Sequence, residues 1–522
     1  MRAIDYFDKG ADAYPDRIAI IDGETRHTYR EMRELTRRIA RAMRARGLGD
    51  EERAAIYSPN DSRVLFCMLG ILRAGAVWVP INSRNALDAN IQYMNYVEVS
   101  WLFYHSSYRD QAQEIMQQVP SLRNCVCIDA EDSPDVSLRK FMEDDVAVEK
   151  IGSGNPHENP DRLMGLVPTG GTTGPAKGVM VTELAWGTMT EMANRYWAGD
   201  TDAPICLTSA PLSHAAGVVA FVMTSLGATN VIMPGFDALE VLRNIERFHV
   251  THMFLPPTAL YALLAHPQLG NFDYSSLRVF LLVASPVSPD KFKKAVEVFG
   301  PCLCQSYGQT EAPMLLTWLD QKTVAAAAAG DHPERLRSCG KPTSAVDLAL
   351  MDDDGRILPP NDPGEIVARG PLVTRGYYKL PDATAEVRAH GWHHTGDIGY
   401  RDEDGYFYIV DRKKDMIITG GFNVFCTEVE ATVMELPQVH ECAVIGVPHE
   451  KWGEAVKAIV VLRGSESLTE KAIIAHCKAR LGGVKAPKSV AFADEIPKTP
   501  AGKTDKKALR KPHWANRDRS VH

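Results

Sequence analysis

Short apolar runs alternate with amphipathic stretches through most of the chain. Residues 63–75 (RVLFCMLGILRAG) read as a helix and residues 76–81 (AVWVPI) as a strand. Residues 250–255 (VTHMFL) and 277–284 (LRVFLLVA) read as buried strands, each near a helical segment. This β-α alternation predicts an α/β fold, with helices covering mostly parallel β-sheets. No repeat of 20 to 50 residues is visible. Residues 322–336 predict a helix ending at Gly330. After Thr395 the pattern changes: residues 397–411 read as a hairpin with DEDG at its turn, followed by the polar run Asp411 to Asp415. Beyond it, residues 427–437, 441–448, 455–462 and 469–481 give a compact set of helix and strand signals. The expected organisation is a large N-terminal domain, residues 1–411, and a small mobile α+β domain, residues 412–522. The tail from Pro512 is expected to be loosely ordered.

One segment qualifies that picture. From Ala203 to Phe236 there is no Asp, Glu, Lys or Arg, a stretch longer than the ~20 residues of a membrane span. It contains prolines, internal glycines, His214 and Asn230, so strand-like and helix-like pieces inside a buried α/β core explain it better. The N-terminus has no apolar core of a signal peptide, and the expected location is the cytoplasm. Composition adds exclusions: 45% hydrophobic and 24% charged residues exclude a disordered or collagen-like chain. The formal charge of −8, from 66 acidic and 58 basic side chains, gives no general attraction to nucleic acid or anionic membrane. An anionic substrate therefore needs local donors. The ten cysteines are dispersed without a C-x-x-C pair. The nearest, Cys125/Cys127 and Cys302/Cys304, have the spacing of one strand face, so buried thiols are expected and zinc is not.

The local donors are concentrated in Leu166-Val-Pro-Thr-Gly-Gly-Thr-Thr-Gly-Pro-Ala-Lys177-Gly178. Gly170, Gly171 and Gly174 permit the backbone angles of a tight anion cradle, Thr169, Thr172 and Thr173 supply hydroxyls, and Lys177 supplies a charge. A plain Gly/Thr turn has similar composition. The string is not a Walker A loop, because Lys177 is followed by Gly178 and not by Ser or Thr.

This string resembles the phosphate-binding signature of the adenylate-forming (AMP-binding) superfamily, with Gly170 where serine is commoner and Ala176 where proline is commoner. The likeness continues in order: Pro211 to Gly217 with His214, Tyr307-Gly-Gln-Thr-Glu311, Thr395-Gly-Asp397, Asp411-Arg412-Lys-Lys414-Asp, Gly420-Gly421, and Pro497 to Lys503. It is similar to the acyl-CoA synthetase branch. The resemblance implies that Tyr307, with Gly308, Gln309 and Ser285, lies in the nucleotide site, Tyr307 against adenine. Thr310 contacts phosphate and Glu311 ligates Mg²⁺, a hard ion suited to carboxylate oxygen. Asp397 takes the ribose hydroxyls and Arg412 donates from the other side. Lys503 contacts the carboxylate and bridging oxygen during adenylation. Lys414 is the hinge for a domain rotation that brings Gly420-Gly421 to the thiol tunnel, and His214 gates between acid pocket and thiol channel. Read without the family, each has a plainer role: turn, N-cap, solvated charge, or core histidine. Cys426 stands where the family commonly has proline, which puts the geometry of that loop in doubt.

After His214 come Ala215, Ala216, Gly217 and Val218, with no carboxylate to pair with a substrate ammonium, so amino acids are disfavoured. Residues 253–258, 281–286 and 312–314 are apolar with small residues interspersed, which suggests a hydrophobic acid: fatty, aromatic, alicyclic or sterol-derived. The expected reaction joins this acid to ATP with pyrophosphate release, then passes the acyl group to coenzyme A. The alternatives are loading of a separate carrier protein, a luciferase-type oxidation, or a non-catalytic ATP- or acyl-binding relative. Few residues follow Lys503, so no carrier domain is expected on this chain. A homodimer is left open.

Overall fold

A computed structural model describes residues 1–133, 135–143, 159–169, 176–199, 201–464, 466–498 and 504–514. These divide into two compact units. The larger holds residues 1–169, 176–348 and 368–393; the smaller holds residues 349–367 and 394–514.

Two sheets build the larger unit among the described residues. In the first the strands run Lys341–Pro342, Thr317–Leu319, Leu303–Tyr307, Val279–Leu282, His252–Leu255, Ile205–Thr208, Thr229–Ile232, Ile18–Asp22 and Thr25–Thr28. The six from Leu303–Tyr307 to Ile18–Asp22 pair in parallel, and antiparallel strands close both edges. In the second the order is Val136–Ser137, Asn124–Cys127, Val99–Tyr104, Arg53–Tyr57, Val77–Pro80, Leu163–Pro168 and Gly178–Thr182, with only the last antiparallel. Parallel strands covered on both faces must be apolar throughout, and all six residues of Val99–Tyr104 are buried.

The first predicted helix is present as Ser62–Ala74. Asp61 caps it by accepting from Arg63 N at 2.8 Å, and Gly75, at φ 79°, ends it in the left-handed conformation. The uncharged segment after Ala203 resolves into Ile205–Thr208, the helix Ala215–Ser225 and Thr229–Ile232. No helix among the described residues is long and apolar enough to cross a membrane. All ten cysteines are free, and all but Cys125 and Cys442 are buried.

The smaller unit contains the predicted hairpin, His393–Arg401 against Phe407–Arg412, whose turn is closed by Gly405 N donating to Asp402 O at 3.1 Å. A second sheet orders Phe422–Val424, Ile417–Thr419, Gly453–Leu462 and Val439–His449, with Ser489–Phe492 parallel to Gly453–Leu462. The helices Cys426–Met434 and Glu470–Lys485 pack Val429, Val433, Ile473 and Cys477 onto Val444, Val456 and Val460. Of the tail, Lys511–His513 form a 3₁₀ turn and Trp514 Nε1 donates to Gly446 O at 3.0 Å, while residues 515–522 lie outside the described residues.

Ala284 follows the strand Val279–Leu282 at φ 81°, where a Cβ is strained. Ala284→Gly is expected to stabilise the larger unit by about 1 kcal/mol, read as a higher midpoint in denaturant unfolding. An unchanged or lower midpoint would show that the strain is relieved elsewhere.

Candidate functional site

The strand Leu163–Pro168 runs into the glycine-rich signature and Gly178–Thr182 returns antiparallel, Pro168 opposite Gly178. Just inside, Thr169 N donates to Lys177 O at 2.9 Å and Lys177 N to Thr169 Oγ1 at 3.4 Å, so the mouth of the loop is closed by hydrogen bonds. Gly170, Gly171, Thr172, Thr173 and Gly174 lie outside the described residues.

The other edge of Gly178–Thr182 is covered by a distant segment. Met180 N donates to Gly376 O at 2.8 Å, Arg375 N to Met180 O at 3.0 Å and Tyr378 N to Gly178 O at 2.8 Å. This places Tyr377 beneath Lys177, whose Nζ is 4.7 Å from the ring centroid. The Tyr377 hydroxyl donates to Glu311 Oε1 at 2.7 Å. Burial and then the Glu311 charge push this phenol well above its ordinary pKa, so it stays a donor. Thr374 N and Oγ1 each donate to Glu311 O at 2.9 Å, and Arg388 donates to Thr374 O. Lys177, Tyr377 and Glu311, drawn from distant parts of the sequence, thus form one chain of contacts.

Tyr307 ends the strand Leu303–Tyr307 and is 8% exposed. The backbone then doubles back: Leu316 N donates to Tyr307 O at 2.9 Å and Gln309 N to Ala312 O at 3.0 Å. A Cβ on Gly308 would stand 2.5 Å from Met314 N, so only glycine fits. Thr310 and Glu311 are half-buried in this turn, and Gln309 Oε1 is 3.3 Å from His393 Nε2. Ser285, exposed, follows the neighbouring parallel strand Val279–Leu282, so it and Tyr307 sit at adjacent carboxyl ends, the usual ligand edge of such sheets.

His214 occupies the N-cap of Ala215–Ser225 and is exposed, not a core histidine. Its Nδ1 is 3.1 Å from Ser213 Oγ and its Nε2 3.4 Å from Asn82 Nδ2. Asn60 shapes the motif: its Oδ1 accepts from Leu212 N at 2.8 Å, and its Nδ2 donates to Ala210 O and Met233 O at 2.9 and 3.0 Å.

In the smaller unit Asp397 and Arg412 are cross-strand partners of the hairpin. Arg412 Nε is 2.6 Å from Asp397 Oδ1; the Asp397 side chain is 3% exposed and the Arg412 side chain 45%. Thr395-Gly-Asp397 lies within a strand, with Gly396 at φ 70°. Glu365 organises it from below, accepting from Gly396 N at 2.9 Å, Lys413 Nζ at 3.2 Å and, across to the ring, His394 Nδ1 at 3.0 Å. Burial raises the Glu365 pKa, but the His394 bond, Lys413 and Gly396 outweigh it and leave the carboxyl below its ordinary value. Lys414 is half-buried, and burial lowers its pKa, with Arg412 and Arg510 adding to the effect. Gly420 and Gly421, at φ 58° and 82°, form the two-residue turn between Ile417–Thr419 and Phe422–Val424, a geometry that needs positive φ twice. Lys503 lies outside the described residues. Among the described residues no group of three or more His, Cys, Asp and Glu side chains could hold a metal by itself.

The sequence reading missed Tyr377, Thr374, Glu365 and Asn60, which come from outside the motifs and carry no local signal.

A doubly sheeted α/β unit that brings Lys177, Tyr377 and Glu311 together, followed by an α+β unit, is the arrangement of an AMP-binding enzyme, and the comparisons agree. The AMP-binding enzyme family matches residues 7–378, and the AMP-binding enzyme C-terminal domain matches residues 428–503. The chain belongs to this family. It is 38% identical to a medium/long-chain-fatty-acid–CoA ligase, FadD8, of Mycobacterium tuberculosis, over 96% of this chain and 88% of that protein. It is 35% identical to a feruloyl-CoA synthase of an Amycolatopsis species, over 95% and 96% of the two chains. The amide bond synthetase McbA of Marinactinospora thermotolerans superposes with a TM-score of 0.87 at 28% identity, covering 98% and 99% of the chains.

Glu365 yields a pH prediction. Its folded pKa lies below the ordinary 4.5, so its contribution is present above pH 4.5 and is lost as pH falls through the folded value. Glu365→Gln should lower stability by about 2 kcal/mol at pH 7 and flatten the acid limb of the unfolding curve below pH 4.5. An acid limb with the wild-type slope would remove Glu365 as the titrating group.

Proposed function

We propose that the protein is an ATP-dependent acid–thiol ligase that activates a hydrophobic carboxylic acid and transfers it to coenzyme A. The observation that carries this reading is the near end-to-end match to two CoA ligases of hydrophobic acids, at 38% and 35% identity. In the first half-reaction a carboxylate oxygen of the acid attacks the α-phosphorus of ATP, and the bond to the leaving pyrophosphate breaks. In the second the thiol sulfur of coenzyme A attacks the acyl carbon and AMP leaves, the thiol proton passing to solvent or base.

The roles follow from charge and reach. Lys177 and the adjoining glycine loop neutralise the triphosphate, and Lys503 screens the repulsion between two approaching anions. Tyr307 offers an aromatic face to adenine, while Ser285, Gly308 and Gln309 border it and Thr310 donates to phosphate. Asp397 has acceptor oxygens suited to ribose hydroxyls, with Arg412 at its side. His214, with Asn82 and Ser213 at its two nitrogens, lies in the motif beside the acid pocket and gates the thiol channel. Lys414 is the pivot, Gly420 and Gly421 line the thiol approach, and residues 412–522 form the moving domain.

The residues present fit Mg²⁺. Tyr377 occupies Glu311 Oε1, leaving Oε2 as a hard donor, and an ion that prefers one or two carboxylates, water and substrate phosphates needs no protein cage. Bound there, Mg²⁺ would spread the charge of the leaving pyrophosphate. No carboxylate occurs in Ala215 to Val218, which favours an acid without an ammonium. The class is fatty, aromatic or alicyclic, and use of ATP and coenzyme A accords with the cytoplasm.

Pyrophosphate release is the test, with a panel of fatty, aryl and alicyclic acids, with and without coenzyme A. Release with at least one hydrophobic acid and thioester on adding coenzyme A are expected. Persistent acyl-adenylate despite coenzyme A would favour a carrier protein as acceptor, and no release with any acid would favour a non-catalytic relative. Lys503→Ala should reduce pyrophosphate release by about 100-fold or more yet spare thioester formation from supplied acyl-adenylate. Equal loss of both would sink the domain-rotation assignment.

A further inference from the structure

The helix Lys506–Arg510 begins three residues after Lys503. Five residues do not hold a helix in water by themselves, and this one is fixed at both ends. Asp505 Oδ1 caps Ala508 N at 2.9 Å. Lys506 Nζ lies 2.8 Å from Glu430 Oε1, the side chains 13% and 19% exposed, and the same oxygen accepts from Val444 N at 2.7 Å. At the far end Arg510 donates to Lys414 O at 3.2 Å and pairs with Asp415, both side chains 14% exposed.

The way into the segment is tied as well. Asp505 N donates to Pro497 O at 2.8 Å, Lys498 and Thr504 form a β-bridge, and Lys498 pairs with Glu441 on the strand Val439–His449. Pro497 and Lys498 are therefore held against Thr504 and Asp505, and the helix Lys506–Arg510 ends on the carbonyl of Lys414. Cys426, where proline is the family habit, adds to the lock. Its N–H donates to the Asp411 carboxylate and its Sγ to Asp415 O at 3.0 Å; proline could make neither bond.

Buried ion pairs are poor stabilisers, since apolar residues of equal volume often do better. Two of them on one five-residue helix are better explained by position than by stability. We propose that Lys506 and Arg510 are positioning residues for adenylation, joining the Lys503 segment to the hinge at Lys414 so that both turn as one lever. The inference rests on the proposed roles of Lys503 and Lys414.

The test uses full-length Arg510→Ala and the double variant Lys506→Met with Glu430→Gln, which removes both charges of the buried pair. For each folded variant, pyrophosphate release should lose about 100-fold in kcat, with KM for ATP and acid within about threefold. Thioester formation from supplied acyl-adenylate should also stay within about threefold. An equal fall in both half-reactions, or no fall in pyrophosphate release, overturns the proposal. Hydrogen exchange on the wild-type enzyme serves even if both variants fail to fold. The amides of Ala508 and Leu509, which donate to Asp505, should exchange well below free-peptide rates, and exchange at free-peptide rates would overturn it. Lys503→Ala run alongside separates the two readings: if it leaves pyrophosphate release intact, the role of Lys503 falls; if it abolishes release while the clamp variants do not, only the lever falls.

Discussion

The double pairing of Gly178–Thr182 is the constraint on which the larger unit's site depends. Its one edge zips to Leu163–Pro168 and closes the mouth of the glycine-rich loop; its other edge receives Arg375 to Tyr378. A strand with both edges hydrogen-bonded has its register set twice, and a slip of one residue would turn every side chain to the opposite face. That register puts Lys177 over Tyr377 and Tyr377 against Glu311. The aromatic ring and the carboxylate belong to segments far from the loop in sequence, so the cluster exists only when the sheet is formed.

The smaller unit shows how differently three buried carboxylates can be treated. Asp397 faces the Arg412 guanidinium. Glu365 is surrounded by donors and is held in its charged form in spite of burial. Asp411 is buried too, and there desolvation prevails: its carboxyl is pushed up to about 6, with Lys506 acting against the shift. For Glu365 the His394 bond, Lys413 and the Gly396 N–H outweigh desolvation; for Asp411 Lys506 and the Arg412 N–H do not. Glu365 can therefore serve as a fixed anchor for the strand that carries Asp397, whereas Asp411 remains a group whose charge depends on its neighbours.

Element types were largely legible, because buried parallel strands and capped helices leave strong local signals: Asp61 before Ser62–Ala74 and Gly330 after Gln321–Ala329 mark their helices. Strand order was not legible. Nothing near Ile18–Asp22 announces its pairing with Thr229–Ile232, which long-range packing alone decides. The motifs that carry the family likeness could be read because they keep particular side chains at fixed spacing. Tyr377, Thr374 and Glu365 could not, because each acts on a motif residue from another part of the chain. The departure at Cys426 looked like a defect in a pattern, yet its N–H and thiol both find acceptors.

A chain of net charge −8 must keep its few useful cations from being wasted on bulk solvent or locked in permanent pairs. Lys177 rests on an aromatic face, an interaction of about 0.5–1 kcal/mol at a partly open site, while a charge-assisted bond to an anion is worth about 1.5–3 kcal/mol. The ring therefore holds the lysine more weakly than a carboxylate partner would. Arg412 follows the same logic: its Nε is engaged with Asp397 while nearly half its side chain stays open. Lys506 and Arg510 are the opposite case, each largely enclosed with a carboxylate and spent on holding the backbone. What separates the two groups is the exposure of the cation itself: Arg412 is half-open although its partner Asp397 is buried, whereas Lys506 and Arg510 are enclosed together with their carboxylates.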